Sequence, residues 1–221
     1  IFATNGTELS TEWSKSVINE CNKIKRDISA QDINSRKDLR SLNFVTIDGS
    51  NAKDFDDAVY AEESSDGFLL YVAIADVSEY VLQESSLDKE ALSRATSVYF
   101  EKKVIPMLPE LISNKLCSLR PNEDKLVLTC EIYLDREGEI KSFEFFNSVI
   151  CSKNRLTYDE VEKFYQKGQA TFSKEIISNL RNLKKIHGLR RKIREERKAI
   201  DFYLPEYSPV GKDNKIIKFK S

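Results

Sequence analysis

Apolar and polar positions alternate along this chain with two periods, one typical of helices and the other typical of strands. Apolar residues recur at roughly helical spacing from Trp13 to Ile24, and Ser10 or Thr11 can cap the helix that this spacing predicts. The predicted helices span residues 10–29, 86–94 (capped by Ser85 or Ser86), 158–168 (capped by Thr157) and 173–198.

The strand pattern predicts two hairpins and one isolated strand. Turn residues at 65–67 and 136–138 each separate two apolar segments, which predicts a hairpin in both places. The unbroken apolar run at 68–76 predicts a strand that is buried on both faces. The predicted strands span residues 42–48, 58–64, 68–76, 125–135 and 139–156, and residues 199–221 are predicted to be extended. This order indicates an α+β fold, with a mixed or antiparallel sheet flanked by helices.

Negative charge is concentrated directly behind the first predicted strand. Four aspartates, Asp48, Asp54, Asp56 and Asp57, fall within ten residues. Close carboxylates raise one another's pKa, and they stay ionised together most readily when a cation sits among them. Oxygen ligands without His or Cys suit Mg²⁺ or Mn²⁺, and Mg²⁺ usually combines one or two protein carboxylates with waters and substrate phosphates. The segment therefore predicts a metal site for phosphate chemistry.

A solvated acidic turn is the alternative interpretation, and on composition alone it is the commoner one. Phe55 and the apolar residues 58–60 instead predict partial burial of the segment. Burying several carboxylates is costly unless a cation or cationic neighbours accompany them. A calcium loop fits poorly, because no Gly stands at the sixth position after Asp48 or Asp54 and no Glu closes a twelve-residue loop.

Composition restricts the class of protein. The 221 residues, 40% of them hydrophobic, suffice for one large domain or for one domain with a partial neighbour. No apolar run approaches the length of a membrane span, and the N-terminus lacks the pattern of a signal peptide. The chain opens on Ile1, which suggests a fragment of a longer protein.

Cysteine and histidine usage argues against several kinds of site. Cys21, Cys117, Cys130 and Cys151 lie at no metal-ligand spacing, and His187 is the single histidine. Zinc chemistry and a Ser-His or Cys-His nucleophile are therefore nearly excluded. Three of the cysteines sit in apolar segments, so reduced core thiols and a cytoplasmic location are predicted. Cys117 is expected to serve packing rather than chemistry.

The net charge of −1 hides an asymmetry between the two parts of the chain. Residues 181–221 hold 13 Lys and Arg against 5 Asp and Glu, whereas residues 1–180 hold 22 against 31. A basic segment after an acidic body is consistent with a polyanionic substrate held beside a metal site. A solvated helix face explains the same charges and is the commoner cause.

Seven segments then match one family in order. They are RKDLR (36–40), FVTIDGSNAKDFDDAVY (44–60), YVAIADVSEYV (71–81), LDKEALSRATSVYF (87–100), VIPMLPELISNKLCSL (104–119), NRLTYDEV (154–161) and REERKAIDF (194–202). With these segments the chain resembles the catalytic domain of the ribonuclease II/R (RNB) superfamily. The D-x5-D-x-D-D pattern of the acidic loop is the specific signature.

The resemblance implies an incomplete RNB catalytic domain. Residues 1–35 resemble the stretch that joins the family's N-terminal cold-shock domains to the catalytic domain, and residues 36–221 resemble its N-terminal portion. The cold-shock domains, the C-terminal portion with a further catalytic Arg, and the S1 domain are not in this sequence. The implied activity is metal-dependent, processive 3′-to-5′ hydrolysis of single-stranded RNA to nucleoside 5′-monophosphates. A monomer without an organic cofactor or membrane partner is expected, and the activity of the fragment alone is left open.

The resemblance also assigns roles to individual residues. Asp48, Asp54, Asp56 and Asp57 match the family's four acidic positions as catalytic and metal-binding residues. The first two and Asp57 are assigned mainly to coordination, and Asp56 to orienting the attacking water. Tyr99, Tyr158 and Phe202 match aromatic residues that contact RNA, although an aromatic in such segments is more often a core residue. Arg36 and Arg40 are expected to meet either the acidic loop or phosphate, or to form structural salt bridges.

Two other functions are consistent with parts of the pattern. One is an RNA-binding module without catalysis, against which the presence of all four aspartates argues for the parent protein. The other is a metal-dependent phosphatase acting on small phosphate esters, against which the ordered aromatics and the lack of a nucleophile signature argue. Incubation with labelled single-stranded RNA and Mg²⁺ discriminates between cleavage and binding alone.

Overall fold

The computed structural model of this protein describes residues 10–100, 103–168, 171–202, 208–212 and 215–220, with side chains described as far as residue 202. Its helices are α1 (Lys15–Lys23), α2 (Ala30–Asn34), α3 (Ser86–Arg94), α4 (Tyr158–Lys167) and α5 (Lys174–Glu196). Its strands are β1 (Lys37–Asp38), β2 (Val45–Asp48), β3 (Asp57–Glu63), β4 (Gly67–Ala75), β5 (Val98–Phe100), β6 (Lys103–Ile105), β7 (Asp124–Asp135), β8 (Ile140–Cys151), β9 (Asn154–Thr157), β10 (Ser208–Lys212) and β11 (Lys215–Lys220).

A seven-stranded sheet organises the chain in the order β1-β8-β7-β4-β3-β2-β9. The four central pairings are antiparallel, whereas the two edge strands β1 and β9 join their neighbours in parallel. Two antiparallel pairs, β5 with β6 and β10 with β11, lie outside this sheet. The predicted α+β class with a mixed sheet and flanking helices is confirmed.

Hydrophobic side chains bury both faces of the sheet against different segments. On one face, Val17 of α1 and Leu87 of α3 join a core cluster with the sheet residues Tyr71 and Val127. On the other face, α4 and α5 pack over the β2 and β9 end of the sheet through a second cluster that contains Val45, Leu156, Phe164 and Leu180. Burial of this apolar area is the main stabilising contribution to the fold, at about 25 cal/mol per Å².

The first helix is shorter than its predicted range of residues 10–29. Ser14, rather than Ser10 or Thr11, is the N-cap and accepts a hydrogen bond from the Val17 amide. The helix ends before Ile24, whose backbone is extended. A separate helix, α2, then begins after Ser29 with its own capping box to Asp32. The predicted helix is therefore too long at both ends, and α2 lies beyond its range.

The segment predicted as one strand over 139–156 is divided between opposite edges of the sheet. β8 ends at Cys151 next to β1, and β9 starts three residues later next to β2. The chain crosses between them with the Lys153 amide donating to the Phe44 carbonyl, 2.8 Å away. Along β9, Val45 pairs with Asn154 and Asp48 pairs with Thr157. This crossover brings the start of α4 to the end of β2.

The other strands predicted from the sequence pattern are confirmed in part. Both predicted hairpins are present, and the first turn requires Gly67 because a Cβ there would overlap the Leu134 carbonyl oxygen. The isolated strand begins at Val45 rather than at residue 42. The strand at 68–76 is not buried on both faces throughout, since Ile74 is 46% exposed. Residues 208–212 and 215–220 are extended as predicted, while residues 203–207 lie outside the described part.

Strand β8, next to the edge strand β1, carries an exposed aromatic pair. Phe143 and Phe145 of β8 are more than 60% exposed, and their rings meet edge to face at 5.8 Å. They share a sheet face with Ile74 and Leu128, which are also exposed. The exposed aromatic pair on β8 is thus separated by two intervening strands, β7 and β4, from β3, which begins at Asp57. In the described part of the chain, no helix is long and apolar enough to cross a membrane.

Candidate active site

The acidic loop occupies residues 49–56, between the end of β2 and the start of β3. Asp48 closes β2 and Asp57 opens β3, so two strand ends hold the two outer carboxylates. Asp54 and Asp56 lie within the loop itself. Because β9 pairs with β2 to its last residue, Thr157 and the following Tyr158 lie at the same edge. The topology thus assembles residues that are more than 100 positions apart in the sequence.

Backbone hydrogen bonds fix the second half of the loop to the rest of the fold. The Ala75 amide donates to the Asp56 carbonyl at 2.9 Å, and the Leu119 amide donates to the Phe55 carbonyl at 2.8 Å. The Phe55 amide donates to the hydroxyl of Ser118 at 3.1 Å. The loop therefore has a defined path, although it belongs to no strand or helix.

The four carboxylates lie close enough to perturb one another. Burial raises the pKa of Asp48, and the charge of Asp57 raises it further. Loss of hydration likewise raises the pKa of Asp56, followed by the charges of Asp54 and Asp57. One oxygen of Asp48, Oδ2, is buried without a hydrogen-bond partner. These shifts are those of anions gathered in one place, offset in part at Asp48 by the Thr46 hydroxyl and by the charge of Arg155.

The charge of Arg155 offsets part of the rise in the pKa of Asp48, but basic side chains of the described residues do not pair with the four carboxylates. Among the residues that the structure describes, none of the four aspartates forms an ion pair with Lys or Arg. Carboxylate oxygens that lack a cationic partner are the donors that hard divalent cations prefer. In the same described ranges, no three His, Cys, Asp or Glu side chains are arranged to enclose a metal ion. The four aspartates are therefore neighbours but not a complete cage.

Two of the three sequence-predicted aromatics lie beside the acidic loop. Tyr99 in β5 is 67% exposed, and its hydroxyl lies 3.4 Å from Oδ2 of Asp54. Tyr158 is 63% exposed and begins α4 directly after Thr157, which pairs with Asp48. Neither is a core residue, and both rings are open to a ligand.

Phe202 is placed differently. It follows the end of α5, is 81% exposed, and makes no described contact with the acidic loop. The structure therefore shows an accessible ring, as predicted for a nucleic-acid contact, without bringing that ring to the aspartates. Its role as an RNA contact stays a prediction.

Arg36 and Arg40 form structural salt bridges and do not reach the acidic loop. The Arg36 side chain is 6% exposed and donates to Asp76 at 2.7 Å and to Glu79 at 2.9 Å. Arg40 instead pairs with Asp38 and Asp124. Of the two roles that the sequence left open for these arginines, the structure selects the structural one.

Cys117 is a packing residue, as predicted. Its side chain is buried beneath the loop, and burial, helped by the charge of Asp56, raises the pKa of the thiol to about 12. A thiol with such a pKa is not an effective nucleophile near neutral pH. All four cysteines are free.

Two polar residues at this site were not singled out from the sequence. Arg155 in β9 donates to carbonyl oxygens of the loop, and Ser118 bridges two loop residues. Both stand inside segments that match the family, but their contacts depend on strand order. No local signal in the sequence points to Arg155, because β9 reads Asn-Arg-Leu-Thr and the contacts of Arg155 exist only once β9 lies beside β2.

Comparison with known proteins agrees with this architecture. The family model described as "RNB domain" matches residues 36–221. This chain belongs to the RNB domain family. Within the family, the similarity is to proteins called ribonuclease R. The chain is 44% identical over 204 residues to "Ribonuclease R" of Acidithiobacillus ferrooxidans, which covers 91% of this chain and 46% of that protein.

Solved structures show the same relationship. Mycoplasma genitalium RNase R in complex with double-stranded RNA matches with a TM-score of 0.91 and 36% identity, over 98% of this chain and 39% of that chain. Mycoplasma genitalium RNase R in complex with ribose-methylated single-stranded RNA matches with a TM-score of 0.92 and 35% identity, over 98% of this chain and 34% of that chain. This chain therefore spans less than half the length of the proteins that it matches.

Proposed function

We propose that this chain is the part of a 3′-to-5′ exoribonuclease that carries the acidic catalytic loop. The observation that supports this most directly is the gathering of Asp48, Asp54, Asp56 and Asp57 at one strand edge without a basic partner. Four carboxylates without an ion-pair partner cost free energy in a purely structural site, and they are useful in a site that binds a cation. The substrate is single-stranded RNA, and the products are nucleoside 5′-monophosphates. Free thiols suit a reducing compartment, which supports action in the cytoplasm.

The solved relatives support RNA as the substrate class. Both Mycoplasma genitalium structures named above contain RNA, and their fold matches nearly all of this chain. Tyr99 and Tyr158 offer exposed rings beside the carboxylates, and a base stacked on an aromatic ring contributes about 1–3 kcal/mol. The third aromatic, Phe202, has the exposure but not the placement of these two.

Mg²⁺, or Mn²⁺ in its place, is the proposed cofactor. Asp48, Asp54 and Asp57 would hold it, because Asp48 ends β2 with a buried oxygen that lacks a partner, Asp57 begins β3, and Asp54 lies in the loop between them. The lack of a complete protein cage suits Mg²⁺, which keeps waters and substrate phosphate oxygens as ligands. When bound, two such ions can stabilise both the attacking and the leaving oxygens of a phosphodiester hydrolysis.

The side chains of this chain divide the remaining work. Asp56 is the residue assigned to orient the attacking water and to accept its proton. Burial and the charges of Asp54 and Asp57 raise the pKa of Asp56, which lies between these two residues in the chain. Tyr99 and Tyr158 position the terminal nucleotides so that the scissile phosphate lies over the acidic loop.

The test of this function is cleavage of end-labelled single-stranded RNA by the protein made from the complete reading frame, with Mg²⁺ present. Ladders that shorten from the 3′ end and release nucleoside 5′-monophosphates are expected. Asp56→Asn keeps the size of the side chain and removes its charge, so hydrolysis should fall by about 10²–10⁴-fold while RNA binding persists.

Asp66→Asn is the matched control. Asp66 is an exposed aspartate in the turn between β3 and β4, at the far end of these strands from Asp57, and its loss should leave the rate unchanged. Near-normal turnover by Asp56→Asn would remove the acidic loop from the active centre. RNA binding without any cleavage by the unaltered protein would instead support the non-catalytic RNA-binding alternative.

A further inference from the structure

The acidic loop is held in place by side chains from two distant segments. Residues 49–56 form no ladder, so their backbone carbonyls need partners from elsewhere. Arg155 supplies one set of contacts and Ser118 the other, and each comes from more than 60 residues away in the sequence. These contacts are therefore features of the tertiary fold and not of a local turn.

Arg155 holds the first half of the loop. Its Nη2 donates to the carbonyl oxygens of Gly49 at 2.6 Å and Ser50 at 3.0 Å. The guanidinium carbon also lies 5.5 Å from the centre of the Phe55 ring, so one side chain contacts both arms of the loop. In the described part of the chain, Arg155 forms no ion pair with a carboxylate. An arginine directed at carbonyls fixes the backbone, and its charge offsets only part of the raised pKa of Asp48.

Ser118 holds the second half. The residue is fully buried, and its hydroxyl accepts from the Phe55 amide at 3.1 Å and donates to the Lys53 carbonyl at 3.2 Å. The next residue, Leu119, adds a backbone bond to the Phe55 carbonyl. A hydroxyl that both accepts and donates within one loop leaves that loop little freedom on this side.

We propose that Arg155 and Ser118 are positioning residues that hold the four aspartates at a working separation. Four like charges in one loop repel, and an unrestrained loop would relieve the repulsion by spreading. Arg155 anchors the backbone next to Asp48, whereas Ser118 anchors the backbone next to Asp54 and Asp56. This inference deepens the proposed function, because a fixed spacing matters most where the carboxylates must share a cation.

Amide hydrogen exchange tests the clamp itself, without metal or RNA. Arg155→Met keeps much of the apolar stem and removes the donors, so amides of residues 49–56 should exchange at least about tenfold faster, as expected when a loop opens more often. Ser118→Ala should have the same effect at Phe55. Arg190→Met is the control, because Arg190 also donates to the carbonyl of a turn residue, Gly138, at 2.9 Å. It should alter exchange at that turn only.

Mn²⁺ binding tests the link to function. In a thermal titration of this chain, Arg155→Met should bind Mn²⁺ at least about tenfold more weakly than the unaltered chain, and Arg155→Lys should recover part of the loss, because an ammonium can still reach a carbonyl. Arg190→Met should retain full affinity even if it lowers the melting temperature. If Arg155 had only a structural role, Arg155→Met and Arg190→Met would both be less stable than the unaltered chain, and both would bind Mn²⁺ as tightly as it does.

The outcomes separate the two proposals. Unchanged exchange of the loop amides in both Arg155→Met and Ser118→Ala would overturn the clamp. Faster exchange with unchanged Mn²⁺ affinity would overturn the positioning role. If the unaltered chain binds no Mn²⁺ and the complete protein does not cleave RNA, the proposed function fails, while the exchange result still decides whether the clamp exists.

Discussion

Two groups of acidic side chains lie at neighbouring positions of the sheet and are treated in opposite ways. Asp76 and Glu79 follow β4 and share the buried guanidinium of Arg36. The aspartates of the acidic loop sit next to them, since the Ala75 amide donates to the Asp56 carbonyl. None of these aspartates forms an ion pair with a basic side chain among the described residues. The carboxylates of Asp76 and Glu79 are therefore neutralised by a side chain of the fold. Those of the acidic loop require a cation from outside the described side chains.

The difference shows that a carboxylate's role depends on its partners and not on its burial alone. Asp76 is the more buried, with its side chain 9% exposed, yet Arg36 and the Ser78 hydroxyl satisfy it. Asp48 is less buried and keeps an oxygen without any partner. Satisfied buried charges are typical of structural sites, and unsatisfied ones are typical of sites that bind a ligand.

The largest expected effect comes from removing Arg36, which neutralises Asp76 and Glu79. Arg36→Met would leave Asp76 buried without its cation, which typically costs about 3–5 kcal/mol. For a chain of this size the melting temperature should fall by about 6–20 °C. Thermal unfolding followed by circular dichroism measures this. Arg40→Met is the control, because its partners are more exposed and its loss should cost at most about 1 kcal/mol. Equal decreases in melting temperature for Arg36→Met and Arg40→Met would mean that burial of the Arg36 ion pair does not contribute to stability.

Removing charge from the acidic loop, in contrast, should not lower the stability of the protein. The double variant Asp48→Asn with Asp57→Asn removes two like charges, so without metal it should be at least as stable as the unaltered chain. With Mn²⁺ at about one hundred times its dissociation constant, the unaltered chain should gain about 2.7 kcal/mol, or roughly 5–11 °C, and the double variant should gain nothing.

The same melting experiment contains its own control. Asp66→Asn with Glu139→Gln removes the same charge from exposed turns, and the response to Mn²⁺ should persist. An undiminished response in the double variant of Asp48 and Asp57 would place the metal elsewhere on the chain.

The smallest expected effect concerns the aromatics beside the loop. Tyr99→Ala in the complete protein should weaken binding of short RNAs by about 1–3 kcal/mol and change the length of the final undegraded product, because a stacking face is lost near the RNA end. Long RNAs, held by many other contacts, should still be cleaved. Phe145→Ala removes an equally exposed ring on β8 and should change neither property. Equal behaviour of the two variants would end the assignment of Tyr99 to RNA.

The sequence predicted those features that depend on residues close together in the chain. The four aspartates were found because they are adjacent in sequence, and the caps at Ser85 and Thr157 were found because capping acts within four residues. The break between β8 and β9 was missed, because no residue at 152–153 is a strong strand breaker and the crossover is decided by free places at the sheet edges. Arg155 was missed for the same reason, since its contacts at Gly49 and Ser50 exist only when β9 lies beside β2.

The parallel pairing of β9 with β2 also sets the order in which the site can be completed. Gly49 and Ser50 of the acidic loop precede Arg155 by 106 and 105 residues in the chain. At about 5–20 residues per second, a ribosome makes the aspartates roughly 5–20 s before the arginine that holds their loop. Pairing across a separation of this length also carries a loop-closure entropy cost, and non-local pairings of this kind slow folding. The charges of this site are thus made before the side chain that fixes their geometry.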